Sequence, residues 1–198
     1  MMLRISKKRS RGKTEYRIIE YPEIRACSYN TYGIGMKHIE IFLDRERILT
    51  IYEESSGLKM LGYFFLNMLQ FNSYSMYIGE KLYVKIKPAF LFVLKPSFSF
   101  ITPEERYTLR LHSNNICTVC RDMQQIMLIR ADILSAFEKS RYTVECEKDT
   151  AMSLAMLFCS FADTVWFKND MERSAYRYSK SIVPFDSCKH LTKWHAEQ

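Results

Sequence analysis

The chain reads as a mainly β protein: a closed antiparallel β-barrel around a central hydrophobic helix near the C-terminus. Three observations predict it. Short segments alternate apolar and polar residues and are parted by polar turns. With 13 Phe and 13 Tyr against 6 Gly and 5 Pro, the composition favours strands. One uninterrupted apolar segment, 150–167, has apolar residues on every side of a helix and must be enclosed on all sides.

The 198 residues fit one domain, large enough to bury a core without disulfide or metal staples. The hydrophobic fraction of 47% and charged fraction of 26% are those of a globular chain, which excludes a disordered one.

Residues 1–14 are expected to form a basic mobile arm. The formal charge is +7, and nearly all of it lies in the first 17 residues, where Arg4, Lys7, Lys8, Arg9, Arg11, Lys13 and Arg17 face Glu15 alone. The tract from Lys7 to Lys13 repels itself. The barrel domain is expected over 15–167. Its strands follow in order: Ile39–Leu43, a turn at Asp44-Arg45-Glu46, then Arg47–Glu53. Tyr74–Ile78 and Leu82–Lys87 flank Gly79-Glu80-Lys81, with Leu82, Val84 and Ile86 sharing one face. Tyr107–Leu111 and Ile116–Cys120 flank His112-Ser113-Asn114-Asn115, residues suited to a tight turn. Gln125–Arg130 and Tyr142–Cys146 complete the series. Ala89–Leu94, between Pro88 and Pro96, suits a strand buried on both faces. Leu58–Phe71 fits either helix or strand, and strand–turn–strand is the preferred reading.

Asp149 and Thr150 are the N-cap candidates of the helix. At about 1.5 Å per residue it is ~27 Å long. A membrane span needs about 20 predominantly apolar residues, and this segment is shorter and carries Ser153, Ser160 and Asp163. Burial in the protein's own core is expected, with Ala151, Ala155, Ser160 and Ala162 allowing strands to approach closely. Residues 168–198 are expected to be a peripheral tail, docked by Ile182–Phe185 and Leu191–Trp194.

The order of these elements resembles the tubby C-terminal-like fold, especially its LURP-one-related and scramblase-like branch. The resemblance rests on Tyr107–Leu111, Gln125–Arg130, Ile133–Phe137, Tyr142–Cys146 and Asp149 with the helix; Leu66–Leu69 followed by Tyr74–Ile78 echoes part of it. It covers about 37–167 and implies a closed barrel threaded by one helix. The chain departs from the family in continuing to Gln198 and in its turns, where Asp44-Arg45-Glu46 and Asp122-Met123-Gln124 replace Gly-containing ones. Tubby proteins bind phosphoinositides through basic barrel residues; no matching basic pair occurs on a strand, so that site is not transferred.

No catalytic constellation stands out, and neither a metal nor a cofactor is assigned. Cys117-Thr118-Val119-Cys120 has metal-ligand spacing but falls in a strand, where its two thiols face opposite sides. Cys188, His190 and His195 offer no second CxxC. Gly33-Ile34-Gly35 lacks the third glycine and helix of a dinucleotide loop. His38 and His112 are read as solvated, and Glu53-Glu54 and Glu104-Glu105 as turn-side charges. The cysteines read as free thiols in a reducing, cytoplasmic setting. The one partner signal is the arm: Lys7, Lys8, Arg9, Arg11 and Lys13 suit an anionic membrane surface. The alternatives are a nucleic-acid-associated protein using the same arm and an enzyme with a small-ligand or lipid pocket at the barrel end.

Overall fold

The computed structural model describes residues 1–10, 12–30, 37–54, 73–88, 97–102, 104–112, 116–132 and 141–166. In chain order the elements are β1 (Met2–Ser10), β2 (Lys13–Ile18), β3 (Ile24–Asn30), β4 (Lys37–Leu43), β5 (Glu46–Glu53) and β6 (Tyr74–Ile78). They continue with β7 (Lys81–Pro88), β8 (Ser97–Ile101), β9 (Arg106–His112), β10 (Ile116–Arg121), β11 (Gln124–Asp132) and β12 (Arg141–Cys146), followed by the helix α1 (Met152–Val165). Each strand pairs antiparallel with the next, and β12 returns to pair with β1, closing a barrel of 12 strands. The seam runs from Met2 opposite Glu145 to Ser6 opposite Arg141. Closure leaves no free sheet edge.

The expected mobile arm is instead part of the wall. Leu3 and Ile5 alternate with Arg4 and Ser6, and their side chains are buried; Thr14, Tyr16 and Ile18 do the same on β2. That apolar face outweighs the repulsion among the lysines, because an outward basic side chain stays in water while its neighbours are buried. The barrel therefore starts at Met2 rather than at residue 15.

Three hairpins share one geometry. A two-residue turn at Asp44-Arg45, Gly79-Glu80 or Asp122-Met123 is followed by a register shift one pair further from the turn. The extra residue is Ile48, Tyr83 or Ile126. Such bulges sharpen the local twist and bend the strand, which curls a meander into a closed wall. Asp44, Gly79, Asp122 and Met123 have positive φ, as these turns require.

α1 lies inside the barrel, and every residue from Ala155 to Trp166 is buried. Its backbone comes nearest β3 and β4, then β2 and β12. On another side, the Phe158 ring meets Phe100 of β8 and Tyr107 of β9, while Phe161 meets Tyr74 of β6, Phe98 and Phe100. These contacts, edge-to-face except for the tilted Phe158–Tyr107 pair and with centroids 5.0–5.7 Å apart, fill the lumen. Asp149 and Thr150 do not cap the helix: the N-cap is Ala151, with no side-chain bond, and neither end carries a charge that complements the dipole. Enclosure, not capping, holds this helix. Ala89–Leu94, Leu58–Phe71, Gly33-Ile34-Gly35 and 168–198 lie outside the described residues.

Candidate functional site

The helix brings one carboxylate into the barrel. Asp163 is 2% exposed and lies about 140° round the helix from Phe158, at about 100° per residue. Three wall residues meet it. The Lys7 ammonium of β1 donates to Oδ1 at 2.8 Å, and the Tyr16 hydroxyl of β2 donates to Oδ2 at 2.5 Å. The Tyr142 hydroxyl of β12 also donates to Oδ1. Ser28 of β3 extends the cluster, its hydroxyl 3.3 Å from that of Tyr16. Burial first, and then the Asp163 charge, push both phenols well above their ordinary range. They stay protonated and donate. The cluster ties first strand, last strand and helix together at one level of the barrel, and its charges are compensated internally. Lys7 is thus a lumen residue and not a surface cation.

The other expected anion-binding residues divide. Lys8 and Lys13 are exposed on the outer wall, with the Lys13 ammonium 5.6 Å from the centre of the Tyr29 ring. The Arg9 side chain and Arg11 lie outside the described residues. Sequence reasoning missed Lys87 of β7 and Arg110 of β9, which are exposed on the same wall. Lys87 follows Lys85 on the wet face of β7 and Arg110 stands between two leucines, so no run of consecutive charges marks either in the sequence.

Of the other expectations, those for the cysteines hold and those for His112 and Glu53 do not. Cys117 is fully buried in the lumen and Cys120 lies on the opposite face of β10, so the CxxC cannot grip one ion. The five described cysteines are free thiols. His112 is not solvated: it is buried on the outer wall, its Nε2 2.7 Å from the Thr118 hydroxyl. His38 is half-buried, stacked between Tyr29 at 4.4 Å and Tyr52 at 5.6 Å. Glu53 is a buried strand residue rather than a turn charge.

The Tyr29–His38–Tyr52 ladder continues to Tyr77, edge-on at 5.8 Å. It crosses β3 to β6 on the outside. Rings that stack on one another use their own faces, so the ladder reinforces strand pairing and leaves little for an incoming base to stack on. The outer wall also carries Arg4, Lys8, Glu15, Arg17, Glu40 and Arg110. A lipid-facing barrel needs an apolar outer band, and the described wall is not one. No described helix is long and apolar enough to cross a membrane.

The barrel has two unlike ends. At the turn end, tight hairpins carry Glu20, Glu23, Asp44, Glu80, Glu104 and Asp122 against Arg45, Lys81, Arg106 and Arg121, together with exposed apolar tips. At the opposite, connection end the described outer wall carries Lys8, Lys13, Lys87 and Arg110, with Glu15 opposite Lys8 and Glu54 paired to Lys85. No family model, curated protein or solved structure matches the chain.

Proposed function

We propose that the protein is a non-enzymatic binding barrel that stands end-on against an anionic phospholipid surface through its connection end. The carrying observation is the placement of Lys8, Lys13, Lys87 and Arg110. They belong to four different strands, β1, β2, β7 and β9, are exposed, and enter none of the described ion pairs. Acidic side chains gather at the other end, so the molecule presents a cationic pole. At about 1 kcal/mol per basic residue near an anionic bilayer, these four supply roughly 4 kcal/mol, enough for salt-sensitive peripheral binding. A lumen packed with α1 and aromatic rings supports a surface role over a pocket. The helix inside a closed barrel supports the resemblance to the tubby C-terminal-like fold.

Sedimentation with vesicles tests this reading. Native protein is expected to pellet with phosphatidylserine-containing vesicles at low salt and not with phosphatidylcholine alone. The variant Lys8→Glu/Lys13→Glu/Lys87→Glu/Arg110→Glu is expected to stay in the supernatant while keeping its fold by circular dichroism. Equal pelleting of the two proteins refutes the assignment. Gel shifts with an oligonucleotide at physiological salt, abolished by the same changes and without vesicle binding, transfer the cationic pole to nucleic acid.

A further inference from the structure

At the turn end, apolar side chains stand where hairpin tips are ordinarily polar. On three successive hairpins these are Ile78 and Leu82, Ile101, and Met123, exposed by 49%, 44%, 56% and 82%. Away from this end, Tyr52 is the one large apolar side chain exposed among the described residues. Scattered single residues of this kind need no explanation; a run of them along one rim does.

Met123 adds an independent sign. It occupies the second central position of the β10–β11 turn with φ of 79°, directly after Asp122 at 46°. That position suits Gly or Asn, because a side chain crowds the backbone in the left-handed region. A nearly bare methionine there costs stability and hides no apolar surface. Strain kept at an exposed, adaptable side chain points to contact with something else.

The flanking charge says what. Glu80, Glu104 and Asp122 lie beside the tips, and Glu23, Asp44 and Glu46 continue the acidity round the rim. Lys81 and Arg106 also stand exposed beside the tips, and Arg121 is occupied by Glu105 at 3.4 Å and Glu147 at 3.8 Å, so acids remain the majority along the rim. Neighbouring hairpins are two strand spacings apart, about 10 Å. Residues seven apart on a helix are ~10.5 Å apart.

We propose that this rim docks a basic amphipathic helix of a partner protein, its apolar stripe on Ile78, Leu82, Ile101 and Met123 and its lysines or arginines against Glu80, Glu104 and Asp122. The site is at the opposite end from the cationic pole and does not depend on it.

A synthetic leucine–lysine helical peptide, with leucines along one face, is the probe. Its titration against the full chain is followed by fluorescence anisotropy. Saturable binding is expected, at least tenfold tighter than that of a scrambled peptide of equal composition or of a leucine–glutamate helix. Met123→Gly is expected to unfold at a higher temperature than the native chain yet bind the peptide severalfold more weakly, and Ile101→Ser is expected to weaken it similarly. The variant with the four cationic-pole residues reversed keeps this binding, which separates the two ends. Equal affinity for the scrambled peptide, or unchanged affinity in both rim variants, overturns the proposal. So does pelleting with phosphatidylcholine vesicles that Ile101→Ser abolishes, which gives the rim to lipid.

Discussion

Lys7 and Asp163 show how a residue's role is set by what it faces. In the sequence Lys7 opens a basic tract; in the fold its side chain is 12% exposed and ion-paired to a carboxylate that is 3% exposed. Removing one partner of a buried pair strands the other charge, at a cost of about 3–5 kcal/mol. Lys7→Met is therefore expected to lower the unfolding free energy, measured by urea titration, by that amount. Lys7→Met/Asp163→Asn is expected to regain part of the loss, because the amide carries no charge and its oxygen accepts from one phenol while its NH2 donates to the oxygen of the other. Strictly additive losses in the double variant would show that the pair is not coupled. His38 provides a second test at this scale. Burial between the rings, with Arg47 acting in the same direction and Glu40 against it, holds its pKa below the ordinary 6.5. The unfolded chain then binds the proton more readily. The stability this gives is fully present above pH 6.5 and is lost as the pH falls from 6.5 toward the lower folded value. Urea midpoints at pH 7.5 and 5.5 are expected to differ more for the native protein than for His38→Gln; an equal difference in the two removes His38 as the cause.

At the scale of elements, β1 is the decisive one. It pairs with both β2 and β12, and it carries Lys7 to the helix. A mobile arm would be dispensable. A staple strand is not: deleting residues 1–9 exposes the edges of β2 and β12 and leaves Asp163 without its cation. The truncated chain is expected to aggregate or to lose its cooperative thermal transition by circular dichroism. A soluble truncation with the native melting temperature would contradict the closed seam. The strand was nevertheless readable, since Leu3 and Ile5 keep period two, as do Thr14, Tyr16 and Ile18 on the next strand. The density of Lys and Arg concealed that alternation. β8 was hidden for another reason: Ser97-Phe98-Ser99-Phe100 is a short alternation beside a proline, with no turn signal ahead of it. By contrast β4, β6, β7, β9 and β10 stand within a residue or two of their expected places, because polar turns bracket clean alternation.

Across the whole molecule, closure and filling follow from one another. A sheet of this many strands closes into a wall with a wide lumen, and a helix with its large rings directed one way and Asp163 the other fills that space. What remains for binding is the outer surface, and there the two ends are chemically opposite. The acidic, apolar rim and the basic pole belong to different sets of strand ends, so charge reversal at one is expected to leave the other's ligand in place. Neither candidate surface could be read from the sequence. Lys87 and Arg110 are far apart in the chain, as are Ile78, Ile101 and Met123, and only strand order makes neighbours of them.

By itself the sequence determined the β-rich class, most strand positions and the burial of the Ala155–Trp166 segment, because these depend on local periodicity and on the cost of leaving apolar surface in water. Only the tertiary structure decided that the N-terminus is a wall strand, that Lys7 faces inward to Asp163, and which charges share an end. Those facts depend on which strands pair across the seam, and pairing between residues some 140 apart leaves no mark in either local stretch of chain.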